Sequence, residues 1–149
     1  MRNIRKLACS LALPALLVAG PAAAAEIFDI GKRQVVDMPP NVPPVLRGEM
    51  VTFLGVLRDV QALSAQGKLA EAGDLVERQM GRSSMGQHAG GVRPGMFMPP
   101  AMHTMARSLH AVSSEWADAL KGGDRAKADA ASAQVLGTCA GCHQLFQIR

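Results

Sequence analysis

Cys139-Ala140-Gly141-Cys142-His143, six residues short of the end of the chain, constrains the fold more than any other stretch. Two thiols separated by two residues and followed directly by a histidine form the attachment pattern for c-type haem, in which each sulfur adds across a vinyl group and the imidazole ligates iron. On a helix, positions i, i+3 and i+4 share one face. Both sulfurs and the imidazole would then meet the same porphyrin. A redox dithiol would need a βαβ context, and a zinc site a second ligand pair, and the sequence offers neither. The only other cysteine is Cys9.

Cys9 falls in a segment with the marks of a signal peptide. Arg2, Arg5 and Lys6 make a basic start, Leu7 to Ala19 an apolar run, and Ala22 to Ala25 a small-residue cleavage region. The run is shorter than the about 20 apolar residues that span a bilayer. The expectation is an exported, periplasmic protein cut after about residue 25. Removing that leader takes three basic residues from the sixteen Lys and Arg, leaving thirteen against twelve Asp and Glu. A balanced surface gives no reason to invoke nucleic acid or an anionic membrane. The remainder is long enough for one domain. With four Phe, one Trp and no Tyr, its core would gain from a large flat apolar cofactor.

Residues 26–44 read as an extended arm, because Pro39, Pro40, Pro43 and Pro44 interrupt it, although Pro43 or Pro44 can open a helix. Phe28, Ile30, Val35 and Val36 either anchor the arm or form a short strand. The domain proper is expected over 45–149. Leu46, Met50, Phe53, Leu54, Leu57, Val60 and Leu63 recur at helical spacing from about Val45 to Ala65. After Gln66-Gly67, a second stripe runs through Leu69, Ala72, Leu75, Val76 and Met80. Residues 82–98 form a Gly- and Met-rich loop. A third helix carries Met102, Met105, Ala106, Leu109, Val112, Trp116 and Leu120, and stops at Gly122-Gly123. Asp124 caps a fourth, which turns Ala128, Ala131, Val135 and Leu136 inward and delivers Cys139, Cys142, His143 and Phe146. Two short connections and one long one predict an all-α, antiparallel four-helix bundle with haem attached near the C-terminus of the last helix.

The string Thr138-Cys139-Ala140-Gly141-Cys142-His143-Gln144-Leu145-Phe146, behind a signal peptide and three helices, resembles the cytochrome c′ family and its low-spin relatives, the class II cytochromes c. The resemblance covers about residues 44–149. It implies one covalently bound haem c, with Cys139 and Cys142 as thioether links and His143 as proximal iron ligand. Arg47 resembles the family's first-helix arginine that pairs with a haem propionate. The residue about one turn later faces the distal side, which makes Met50 or Val51 the candidate. The chain departs from the family at Gln147, where a basic residue usually follows the aromatic; the nearest here is Arg149.

The distal residue decides the function. A thioether from Met50 as sixth ligand gives a haem suited to electron transfer, and the chain then carries single electrons between periplasmic or membrane-bound redox partners. Val51 or Leu54 on that face would leave the iron open to NO or CO. A third reading rests on Met80, Met85, His88, Met96, Met98, Met102, His103 and Met105, whose soft sulfur and imidazole suit copper; one of these side chains could instead reach the iron, and His88 or His103 would then give a bis-His haem. His110 is expected on the helix surface without a role. No nucleophile and base pairing points to an enzyme. Homodimers through the first two helices are common in the resembling family.

Overall fold

The computed structural model describes residues 32–87 and 89–149. The expected signal peptide at 1–25, Phe28, Ile30 and His88 lie outside them. The described chain folds into four α-helices and one two-stranded sheet: β1 (Gln34–Val36), α1 (Val42–Ala65), α2 (Leu69–Gln79), α3 (Pro100–Lys121), α4 (Arg125–Leu145) and β2 (Phe146–Ile148). Three short 3₁₀ turns, Arg82–Ser84, Ala89–Gly91 and Pro94–Phe97, punctuate the loop between α2 and α3. The structure is thus all-α in class. None of its described helices is long and apolar enough to cross a membrane.

The two short connections use the same device. At the end of α1, Lys68 N–H bonds to Leu63 O at 2.9 Å and Gly67 N–H to Ser64 O at 3.1 Å. After α3, Asp124 N–H bonds to Ala119 O at 3.2 Å and Gly123 N–H to Leu120 O at 3.0 Å. This is the Schellman pattern, which closes a helix on a left-handed residue. Gly67 (φ 75°) and Gly123 (φ 71°) supply that residue without a Cβ penalty. Asp124 then acts twice: its carboxylate accepts from Lys127 N–H at 3.0 Å and so caps α4.

Helix α1 begins at Val42, three residues before the expected Val45, because Pro43 and Pro44 fall where a helix has no use for an N–H. Within the described part of the arm, Gln34–Val36 form a strand. β1 pairs with β2 in parallel register, Gln34 opposite Phe146, Val35 opposite Gln147 and Val36 opposite Ile148. Phe146 is therefore the first residue of a strand and not the end of the fourth helix.

Helix α3 packs against both α2 and α4, and α1 against α2. Phe53, Val56, Val60, Ala72, Val76, Met80, Leu109, Trp116, Ala117, Leu120, Ala128 and Val135 form the main core. A smaller cluster of Val36, Leu46, Met102 and Phe146 closes the end where the strands lie. Two stripe assignments are corrected. Leu54 and Leu136 are exposed, at 66% and 52%, while Val56 is buried at 3%. At 3.6 residues per turn, Val56 lies about 60° from Phe53 around the helix and Leu54 about 100°, so Val56 reaches the seam and Leu54 does not.

Candidate functional site

Helix α4 runs for 21 residues yet buries only Ala128 and Val135. In its second half Thr138, Cys139, Cys142 and His143 line a cavity of about 420 Å³, and Cys139 and Cys142 also pack against the two core clusters. Across that cavity stand Leu46, Arg47, Glu49, Met50, Val51 and Phe53 of α1, with Met102, Met105 and Leu109 of α3. Phe146, Gln147 and Ile148 of β2 line it at the strand end. The volume is within the range of about 300–1,000 Å³ found for small-molecule and cofactor sites, and the lining has their pattern: apolar walls with few polar groups.

Cys139 and Cys142 are free thiols, each partly buried. Burial pushes both above the usual thiol pKa, and for Cys142 the neighbouring Cys139 adds to the rise. Both therefore stay protonated at neutral pH. His143, one helical residue further on, is exposed while lining the cavity. The i, i+3, i+4 spacing has the expected result: one wall carries two thiols and an imidazole.

Met50 is half-buried, packs against both core clusters and lines the cavity. Val51 lines it too, although 69% exposed, whereas Leu54 does not. Arg47 is exposed and lines the same space. The structure thus brings together Cys139, Cys142, His143, Met50 and Arg47.

Arg33 and His110 were not read from the sequence as part of this site, whereas Met105 was among the side chains expected to be able to reach the iron. Arg33 donates to Gln147 Oε1 at 3.2 Å and lines the cavity. Its delivery depends on the parallel pairing of segments more than a hundred positions apart, for which local periodicity gives no signal. Met105 approaches the motif so closely that a Cβ on Gly141 would lie 3.1 Å from its Cε. His110 also lines the cavity, and here the surface assignment is corrected. Its Nδ1 lies 2.9 Å from Met80 O and 3.3 Å from Ser84 Oγ, and its ring meets Phe53 edge-on at 6.3 Å. It ties α3 to the end of α2. A histidine on an otherwise polar flank gives no hint of a carbonyl 30 residues earlier.

A second cavity of about 620 Å³ adjoins the first, sharing Glu49, Met98, Ala106 and His110 with it. Met85, Met96 and His103 belong to the second alone. Among the described residues, no three His, Cys, Asp or Glu side chains converge as a metal-binding group. No known protein family, characterised protein or solved structure matches the chain.

Proposed function

We propose that the chain is a periplasmic monohaem c-type cytochrome of the cytochrome c′ and class II type, its four helices forming an antiparallel bundle, and that it carries single electrons between redox partners. The observation that carries the proposal is the wall of α4, where two thiols and an imidazole line an apolar cavity whose other walls come from α1, α3 and β2.

The residues present fit haem c. Cys139 and Cys142 are reduced and unpaired with each other, the state in which each could be joined to a vinyl group through a thioether. The exposed imidazole of His143 has room to ligate. Leu46, Phe53, Met102, Leu109 and Phe146 offer the apolar contact a porphyrin needs, and Arg47 and Arg33 bring positive charge that suits its carboxylates. Bound haem supplies an iron centre that takes up and returns one electron. The chain's own residues set how readily it does so, through ligand identity and burial. A carrier of this kind is not an enzyme.

Met50 is the proposed sixth ligand. A gas-binding haem is the second reading, favoured by Val51, which lines the cavity one residue further along α1. The reduced visible spectrum of the haem-loaded protein, with and without carbon monoxide, separates the two. Electron transfer predicts sharp low-spin bands that CO leaves unchanged and that Met50→Ala converts to a CO-sensitive spectrum. A broad spectrum that shifts with CO in the unaltered protein would give the gas-binding reading the lead.

A further inference from the structure

The second cavity lies outside the thiol and imidazole wall, and its donors are of a different kind. Proline directs how it is built. Met98 and Pro99 are extended (ψ 138° and 154°) and lead into α3 at Pro100. His103 N–H closes onto Pro99 O at 3.0 Å, which holds His103 in the first turn of α3 beside the loop. The loop itself is pinned by Met96 N–H to Arg93 O at 3.1 Å and Met98 N–H to Gly95 O at 3.4 Å. Gly95 lies directly against the imidazole: a Cβ there would be 3.1 Å from His103 Cδ2 and 3.3 Å from Nε2. The Nε2 edge therefore faces the segment carrying Met96 and Met98.

Met98 packs against the smaller core cluster, but packing does not account for Met96 and Met85. Met80 and Met102 are core residues, at 0% and 5% exposure, whereas Met96 is 75% and Met85 42% exposed. The half-buried His103 ring has no hydrogen bond among the described residues, in contrast to His110, which is held against Met80 O. Three thioethers and an imidazole around one cavity make a neutral, soft donor set. Calcium and magnesium require oxygen ligands, and among the described residues that line this cavity Glu49 is the single carboxylate. Thioether sulfur selects Cu(I). Arg93 and Arg107 line the same cavity, and their charge penalises a divalent ion about twice as much as a monovalent one.

We propose that this cavity is a Cu(I) site, with the His103 imidazole and the Met96 and Met98 thioethers as ligands and Met85 as a fourth donor. The proposal does not depend on the haem reading, and the test keeps them apart. Because free Cys139 and Cys142 would themselves take Cu(I), the protein is used with both sulfurs in thioether links or, if it carries no haem, alkylated. Without oxygen, Cu(I) is offered in competition with bicinchoninate. The expected result is one equivalent per chain, held at least tenfold more weakly after His103→Ala and after the double change Met96→Ala with Met98→Ala. Far-UV circular dichroism verifies that each variant is folded. On unaltered protein labelled at the methionine methyl carbons, Ag(I) should shift Met85, Met96 and Met98 and leave Met80 and Met102 in place. Failure to take Cu(I) from the competitor, equal uptake by the variants, or Ag(I) shifts elsewhere would each overturn the proposal.

Discussion

Gly73 stands in the middle of α2, where glycine costs about 1 kcal/mol relative to alanine, and its neighbours explain the choice. A Cβ at that position would lie 2.6 Å from Ala117 O, 2.7 Å from Lys121 Cγ and 3.2 Å from Lys121 N. Two of these are backbone atoms of α3 that no rotamer change can clear. Restoring a normal contact of about 3.5 Å means parting the helices by roughly 1 Å. The side chains along that seam, Ala72, Val76, Trp116, Ala117 and Leu120, are each at most 3% exposed. A gap of about 0.5–1 Å already forfeits a quarter to a half of each contact, and overpacking typically costs about 1–3 kcal/mol. After subtracting the gain of about 1 kcal/mol in helix propensity, Gly73→Ala should leave the protein between unchanged and destabilised by about 2 kcal/mol. Gly55 in α1 provides the control, since a Cβ there meets nothing within 4 Å, and Gly55→Ala should stabilise by about 0.8–1 kcal/mol. Urea unfolding followed by circular dichroism reads both. If Gly73→Ala were as stabilising as Gly55→Ala, the close α2–α3 approach would be refuted.

Ser113 is fully buried with a hydroxyl that has no hydrogen-bond partner among the described residues, so Ser113→Ala should be neutral or stabilise by up to about 1–2 kcal/mol; a clear loss of stability in the same urea assay would contradict this. Burial opposes the charge of Glu77, but hydrogen bonds from Ser114 and Ser83, with Lys121 nearby, hold its carboxyl below the usual value. A carboxyl depressed on folding stabilises the fold above its unfolded pKa, about 4.3, and that contribution is lost as pH falls through the folded value. Glu77→Gln should therefore reduce stability near neutrality by about 1 kcal/mol, with the part exposure of the group discounted, and flatten the acid limb of a stability profile below about pH 5. A variant whose profile parallels the parent would show that Glu77 does not tie α2 to the loop and α3.

What was legible in the sequence follows from how local each determinant is. The helix-period stripes of α2 and α3 and the Gly-bearing stops after Gln66 and Gly122 are set by residues within a few positions of one another, and they read correctly. So did the shared face of Cys139, Cys142 and His143, because helical spacing alone fixes it. The misread positions depended on partners far along the chain. Leu54 and Leu136 looked like core residues by hydrophobicity, but no neighbouring element covers them. Val35 and Val36 could not be assigned until Gln147 and Ile148 stood beside them. Phe146 reads as the next turn of α4 in sequence, yet that same strand pairing extends it. Arg33 joined the site through the arm, on the side where Gln147 replaces the basic residue usual in the resembling family. Arg47 came from the resemblance, which left Met50 and Val51 both open, and all three line the cavity with the motif.

The most direct test of the central claim is the mass of the mature chain after denaturation, expressed together with the c-haem assembly machinery. The account predicts one haem retained through Cys139 and Cys142, stainable on a denaturing gel, and lost when both cysteines are changed to alanine. A mature chain that runs at its polypeptide mass with two free, alkylatable thiols would contradict it.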